Sequence, residues 1–387
     1  MNVTISDTIK YIGVDDLTLD IFEGQYEVEE GISYNSYLIL DEKTCLLDTV
    51  DARGTQEWEN NLEEALAGRK LDYLVIHHME PDHAGSLGRL LELHPEVTLV
   101  GNAKTFQMVP QFLDKEPTQE KLTVKENDTL SLGEHTLTFL MAPMVHWPEV
   151  MVSYESKEKL LFSADGFGTF GALSVRGLDD WACEARRYYF NIVGKYGAPV
   201  QTLLKKAAAL DIAAICPLHG PILRENLPYY IGLYDTWSKY EPENKGVFVA
   251  YASIHGNTAE AAQLLAEQLK EAGVEKVAIS DLTRDDMSEA IEDAFRYDRM
   301  VLCASSYDGG VFLPMENFLV KLTAKAYQNR KVALVENGSW APSAARKMTE
   351  YLAAMKNVEV LEDVVTIRST VKEETKEALK RLAGELV

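Results

Sequence analysis

The stretch that decides the reading is Leu71-Asp72-Tyr73-Leu74-Val75-Ile76-His77-His78-Met79-Glu80-Pro81-Asp82-His83. An apolar run of strand character ends in a dense set of histidines and carboxylates. Three further apolar runs end the same way. TLTFLMAPMV leads to His146, KLLFSA to Asp165 and AAICPL to His219. A strand that delivers a nitrogen or oxygen donor at its C-terminal end places that donor where irregular backbone can converge. His78, Glu80, Asp82, His83, His146, Asp165 and His219 exceed what one tetrahedral ion needs, and suit two cations bridged by one carboxylate. Imidazole and carboxylate without thiolate are compatible with iron, manganese or zinc. His77 reads as a core or supporting side chain, and His94 and His135 as capping or loop residues.

The rest of the chain bounds the class. Its 387 residues suit two domains, at roughly 150 residues per domain. The net charge of −23 argues against a general nucleic-acid or anionic-membrane binder. Four scattered cysteines, Cys45, Cys183, Cys216 and Cys303, form no C-x-x-C, which argues against a disulfide scaffold or a thiolate metal site. The N-terminus lacks a basic region followed by an apolar one, and no apolar run approaches the ~18 residues of a membrane helix. The expectation is a cytoplasmic protein. The polar stretch Tyr240-Glu241-Pro242-Glu243-Asn244-Lys245-Gly246 precedes a fresh apolar strand and predicts a boundary, with domains at 1–243 and 244–387.

In the first part, strands are expected at 37–48, 73–77, 98–100, 136–141, 151–154, 159–164 and 212–216, with helices at 55–68 and 182–195. This mixture suggests a layered α/β domain. The second part alternates strands at 246–252, 300–304, 331–336 and 358–366 with helical patterns. Ala261, Leu264, Leu265 and Leu269 make one apolar helix face. Short, continuously apolar strands suit a doubly wound parallel sheet, with ligands beyond the strands' carboxyl ends.

Those ends carry a second motif set. VFVAYA runs into Ser253-Ile254-His255-Gly256-Asn257-Thr258 and then a helix, an anion site made of hydroxyls, a glycine and a helix N-terminus. No Lys follows the glycine, so this is not a nucleotide-triphosphate loop. It resembles the flavodoxin phosphate loop, with His255 where flavodoxins commonly carry Thr. Ser305-Ser306-Tyr307-Asp308-Gly309-Gly310 follows MVLCA, and Asn337-Gly338-Ser339-Trp340-Ala341 follows KVALVE. Tyr307 and Trp340 offer faces for stacking on a flavin ring. Cys303, inside its strand, reads as core.

The spacing of H-x-E-x-D-H, a lone His, an Asp and a His resembles the metallo-β-lactamase fold, whose hydrolytic members carry H-x-H-x-D-H. Glu80 stands where those place a second His. That exchange makes the site harder and more electron-rich, favouring iron over zinc. With the flavodoxin-like half, it identifies the chain as resembling the flavodiiron proteins, or A-type flavoproteins. The resemblance implies an N-terminal metallo-β-lactamase-like αββα sandwich and a C-terminal flavodoxin-like doubly wound sheet, with no rubredoxin appended. It further implies FMN and two iron ions. One ion would be held by His78, Glu80 and His146, the other by Asp82, His83 and His219, with Asp165 bridging. His146-Trp147-Pro148-Glu149 also resembles the family, which more often has Asp at the fourth position, a swap that reads as conservative.

The implied reaction is reduction of dioxygen to water, of nitric oxide to nitrous oxide, or both. The implied donor is rubredoxin or, as in methanogens, a reduced deazaflavin. The implied assembly is a head-to-tail homodimer, or such dimers paired into a tetramer. Tyr188, Tyr189 and Trp147 are candidates to tune substrate choice. Two rivals remain at this stage: a metal-dependent hydrolase with an appended flavodoxin-like domain, and a plain electron carrier. Glu80 and the flavin loops speak against the first, the complete donor set against the second.

Overall fold

The computed structural model describes residues 3–178 and 180–387. The chain packs as two compact units. The first comprises 1–189 with 198–235, and the second comprises 190–197 with 236–387. The division expected at 243/244 thus falls inside the second unit. Among the described residues, no helix is long and apolar enough to cross a membrane.

The first unit holds two sheets. One runs in the order Ile9–Tyr11, Tyr37–Leu40, Thr44–Leu47, Tyr73–Val75, Thr98–Gly101 and Lys121–Thr123, antiparallel at its start and parallel from Thr44–Leu47 onward. The other runs Thr129–Ser131, Thr136–Met141, Met151–Glu155, Leu160–Phe162 and Ala214–Cys216, antiparallel except for its last pair. Side chains alternate across a strand. Tyr37, Ile39, Cys45, Leu47, Val75 and Val100 of the first sheet therefore share one core with Leu137, Phe139, Met151, Leu160, Phe162 and Cys216 of the second. The opposite faces are buried too, through Leu38, Leu46, Leu74 and Leu99, and through Leu140, Val152, Leu161 and Ile215. Helix Thr55–Leu66 turns Trp58, Leu62 and Leu66 inward. Burying each such side chain contributes roughly 1.5–3 kcal/mol. The arrangement is the αββα sandwich.

One expected strand is two. Residues 37–48 form the hairpin Tyr37–Leu40 and Thr44–Leu47, paired in register. The intervening Asp41-Glu42-Lys43 cannot be buried on a sheet without partners, so the chain reverses there. Asp41 makes the turn specific: one oxygen accepts the Glu42 amide at 2.8 Å and the other the His135 amide at 2.6 Å. The helix expected at 182–195 is α-helical only over Trp181–Tyr188 and widens into a π-turn over Tyr189–Val193.

The second unit is a parallel sheet in the order Val277–Asp281, Asn244–Ala252, Tyr297–Tyr307, Arg330–Asn337 and Val358–Ile367, with the short Gly310–Val311 folding back on Tyr307. In chain order this is 2-1-3-4-5, the flavodoxin-like winding, whose ligands sit at the switch point beyond the first and third strands. One face packs Val247, Val249, Val301, Cys303, Ala333 and Val335 against helices Asn257–Glu271 and Glu373–Glu385. The expected face of the first helix is there: Ala261, Leu265 and Leu269 are fully buried and Leu264 lies at its margin. The other face carries helices Met287–Arg296, Leu313–Ala324 and Ala344–Leu352.

Candidate functional site

The seven metal-ligand candidates gather at one place. His78 and Glu80 leave the strand Tyr73–Val75, and Glu80 precedes a one-turn helix, Pro81–Ala84, that carries Asp82 and His83. Proline at the first helical position costs no hydrogen bond and presets the turn. His146, Asp165 and His219 each follow a strand of the other sheet.

Two donor groups result. His78, Glu80, His146 and Asp165 form one, and Asp82, His83 and His219 the other; within each, the donor atoms all lie within 4.8 Å of one another. Glu80 Oε2 is 3.2 Å from His78 Nε2 and 3.0 Å from His146 Nε2. Asp82 Oδ2 is 3.4 Å from His83 Nε2 and 3.1 Å from His219 Nε2. Asp165 faces both groups. Its Oδ2 lies 3.3 Å from His78 and 3.0 Å from His146, and its Oδ1 lies 3.2 Å from His83 and 3.8 Å from His219.

The chemistry of these atoms fits metal cations. All four carboxylate oxygens of Asp82 and Asp165 are buried without a hydrogen-bond donor of their own. His83 Nε2 faces His219 Nε2 at 3.0 Å, and His78 Nε2 faces His146 Nε2 at 3.4 Å. Two imidazole lone pairs that close repel unless something positive sits with them. The carboxylates supply that tendency in the apoprotein. Burial disfavours the imidazolium of His78, but the Asp165 charge beside it, with hydrogen bonds to Glu149 and Glu80, raises its pKa well above the ordinary value. Burial likewise opposes His146, yet Asp165 and Glu80 lift it to about 9. Burial would raise the carboxyls of Asp165 and Glu80, and the histidines around them hold both low instead. A site that draws protons onto its histidines is one where metal cations replace protons.

Outside the donors, each supporting contact can be named. Glu149 Oε1 accepts His78 Nδ1–H at 2.8 Å, and the Ser33 carbonyl accepts His219 Nδ1–H at 2.7 Å. Gly220, at φ +76, follows His219; a Cβ there would meet Thr169, and its amide donates to Ser33 Oγ at 2.7 Å. Trp147 meets the His78 ring edge-on at 5.2 Å. Tyr188 is buried with its ring 5.5 Å from His219, whereas Tyr189 packs on Tyr234. Phe22 and Tyr34 also border His219, at 5.7 and 6.0 Å. The sequence reading missed Asp48, Ser33 and Phe22. Asp48 had a visible signal, since it too is an acid ending an apolar run, Thr44-Cys45-Leu46-Leu47. His94 lies outside the site with its Nε2 3.0 Å from Glu63. His135 differs from expectation: it is fully buried, 2.9 Å from the Thr8 hydroxyl and 3.0 Å from Glu155.

The second motif set encloses a cleft of about 460 Å³ in the other unit. It is lined by Ser253, Ile254, His255, Asn257 and Thr258, by Ser305, Ser306, Tyr307, Asp308 and Gly309, and by Asn337, Gly338, Ser339, Trp340 and Ala341. Ser343 and Ser369, which the reading did not single out, line it as well. Gly256 and Gly310 shape the loops instead. Gly256, at φ +94, precedes helix Asn257–Glu271, whose first amides receive no side-chain cap. Those unpaired N–H groups fit a phosphate. Thr258 and Ser305 join two of the loops, their hydroxyls 2.9 Å apart. Asn337 ties a third to Ser369, donating to its carbonyl at 2.9 Å and accepting its amide at 3.1 Å. Tyr307 and Trp340 are 47% and 89% exposed, apolar faces suited to a planar ring.

Residues 32–220 match the family model described as ODP family beta lactamase, and residues 249–381 match flavodoxin. A curated relative, the nitric oxide reductase of Moorella thermoacetica, is 32% identical over 92% of this chain and 90% of its own length. Among solved structures, rubredoxin oxygen:oxidoreductase from Desulfovibrio gigas superposes with a TM-score of 0.91 at 28% identity, covering 98% of this chain and 96% of the other. The flavodiiron protein from Giardia intestinalis superposes with a TM-score of 0.92 at 25% identity, covering 100% and 97%.

Proposed function

Because this chain belongs to the flavodiiron protein family, we propose that it reduces dioxygen to water, nitric oxide to nitrous oxide, or both, at a diiron site fed by FMN. The carrying observation is Asp165, whose two oxygens face two separate donor groups, one of which holds a glutamate where zinc hydrolases have histidine. His78, Glu80 and His146 would hold one iron, Asp82, His83 and His219 the other, and Asp165 would bridge them. The amides at the start of helix Asn257–Glu271 would hold the FMN phosphate, with Tyr307 and Trp340 against its ring.

When bound, two ferrous ions and reduced FMN supply the four electrons that turn dioxygen, with four protons, into two waters. The protein's part is to keep the donors fixed and water out. Every metal-ligand candidate but Glu80 is buried, and the rings of Trp147, Tyr188 and Phe22 close the space around the imidazoles. A fixed, dry carboxylate cradle stabilises charge without reorganising at the moment of reaction.

The metal-binding domain would span 1–243 and the flavin domain 244–387. The electron donor would be a rubredoxin-like protein or a reduced deazaflavin, met in the cytoplasm. The active assembly would be a head-to-tail homodimer, or a pair of such dimers. The deciding experiment is iron and FMN analysis of the purified chain, then anaerobic reduction and separate mixing with dioxygen and nitric oxide. Two irons, one flavin and rapid reoxidation by either gas are expected. Stoichiometric zinc with hydrolysis of a thioester would overturn the reading.

A further inference from the structure

The two donor groups are matched in composition but not in what stands behind them. Each has two imidazoles and one carboxylate of its own, and each shares Asp165. Behind His78 stands an anion. Glu149 Oε1 accepts both His78 Nδ1–H and the Met79 amide, each at 2.8 Å. Glu149 is fully buried, its second oxygen has no donor, and no Lys or Arg forms an ion pair with it among the described residues. A buried carboxylate needs compensating positive charge. Among the described residues, the route to it runs through the His78 ring, toward whatever cation that ring holds. Behind the other group the partners are neutral or absent. His219 Nδ1 donates to the Ser33 carbonyl at 2.7 Å, and His83 Nδ1 is buried with no partner.

A carboxylate on the far nitrogen makes an imidazole a stronger donor than a carbonyl does, and such outer partners typically change metal affinity about 10–100-fold. We propose that Glu149 is a positioning and tuning residue that makes the half-site of His78, Glu80 and His146 the tighter and more electron-rich of the two. The ion held there is released last and is the first to give up an electron. The ion held by Asp82, His83 and His219 is the labile one. The Asp found more often at position 149 in the family carries the same charge on a shorter arm. The inference rests on the diiron reading, and presupposes that two irons are present.

The test uses the full-length, iron-loaded protein. Excess chelator should remove one iron per chain faster than the other, in two phases separated by about tenfold or more. Glu149→Gln keeps an oxygen for His78 and Met79 but removes the charge. It should accelerate the slow phase about 10–100-fold and leave the fast phase in place. Asp82→Asn should accelerate the fast phase alone. In a potentiometric titration followed by electron paramagnetic resonance, Glu149→Gln should raise the lower of the two iron potentials, by about 59 mV for each tenfold loss of ferric over ferrous affinity. Glu149→Asp should restore the slow phase at least in part. Equal release of both irons from the unaltered protein would overturn the proposal. So would a slow phase indifferent to Glu149→Gln, or equal impairment by Gln and Asp, which would mean that shape and not charge matters. A chain that holds zinc, or that cannot be loaded with more than one iron, would instead mark failure of the diiron reading itself.

Discussion

Asp48 grips His77 twice: its Oδ2 lies 2.6 Å from His77 Nδ1, and its Oδ1 accepts the amide of the same residue at 2.7 Å. The far ring nitrogen of His77 meets Ser153 Oγ at 2.8 Å, so the ring has no nitrogen left for a metal. Asp48 Oδ1 also lies 3.3 Å from the His78 amide. His78, by contrast, is held through its Nδ1 by Glu149 at 2.8 Å. Asp48 and Ser153 thus keep the His77 ring out of the donor cluster while the neighbouring His78 ring faces it.

Removing Asp48 should accordingly harm both folding and metal binding. Asp48→Ala leaves a buried imidazole and an amide without their acceptor, each expected to cost about 1–3 kcal/mol in denaturant unfolding of the first unit. Iron content should fall with it. Ser153→Ala, which deletes only a neutral hydroxyl, should cost about 1 kcal/mol. Equal effects from the two substitutions would contradict the role given to Asp48.

Asp165 makes the sharper contrast. Because its oxygens face both donor groups, Asp165→Ala should strip a ligand from each and leave the purified protein with neither iron. His94→Ala removes an imidazole whose partner is the surface residue Glu63, so both irons should stay. Elemental analysis of the two variants side by side decides the point.

What could be read from residues alone follows a physical line. Each donor is a polar residue ending an apolar run, and that pattern is local, so His78, Glu80, Asp82, His83, His146, Asp165 and His219 stood out together. The supporting contacts are not local. Asp48 reaches His77 from 29 residues away, and Glu149 reaches His78 from 71. Glu149 thus looked like a conservative exchange when it is the anion that accepts the far nitrogen of a ligand. His135 misled for the same reason. Its neighbours Gly133 and Glu134 suggest a surface loop, yet Thr8 and Glu155 fold over it. The turn at Asp41-Glu42-Lys43 was legible in principle, since three charged residues interrupt an apolar run.

At the edge of the flavin cleft, Gly256 resists a side chain for a reason other than space. No atom lies within 4 Å of where its Cβ would be, but its φ of +94 is one that a β-branched residue resists. Gly256→Val should shift the loop that presents the helix amides, at about 1–2 kcal/mol, or roughly tenfold in FMN affinity. Fluorescence titration of the apoprotein with FMN would show it. Iron content should not change, and a matching loss of iron would mean that the two sites are not separable in this way.

Acid should uncover a different pair. Asp16 accepts Arg53 Nε at 2.6 Å, and its other oxygen takes both the amide and the hydroxyl of Thr18. Burial would raise its pKa, but Arg53 and Thr18 outweigh it and hold the carboxyl below the usual range. The folded pKa thus lies below the unfolded one. The stabilisation is fully present above the unfolded value, about 3.9, and is lost as pH falls through the folded value. Asp16→Asn should lower the melting temperature near neutral pH, and the gap from wild type should narrow as pH falls below the unfolded value and through the lower folded one. A gap that stays constant across that range would rule out the ionic origin.

The proposed assembly yields the most demanding test. All seven metal-ligand candidates belong to the first unit, and every residue lining the flavin cleft belongs to the second. In a head-to-tail dimer with two-fold symmetry, each flavin would serve the partner's irons, giving two equivalent centres. His146→Ala disables the metal site of one chain, and a 253–258 loop disrupted until titration shows that it no longer holds FMN disables the flavin site of another. Neither homodimer should turn over well. After subunit exchange, a hybrid would pair the intact flavin of the first variant with the intact irons of the second, leaving its other centre dead. Random exchange of equal amounts makes half of the dimers hybrids, each with one working centre. Activity should therefore return to about a quarter of the wild-type rate. Exchange can be verified independently, with two distinguishable tags recovered in one complex. If tagged hybrids form and the rate stays at that of the separate variants, or if an isolated monomer turns over at the full rate, electrons do not cross between subunits.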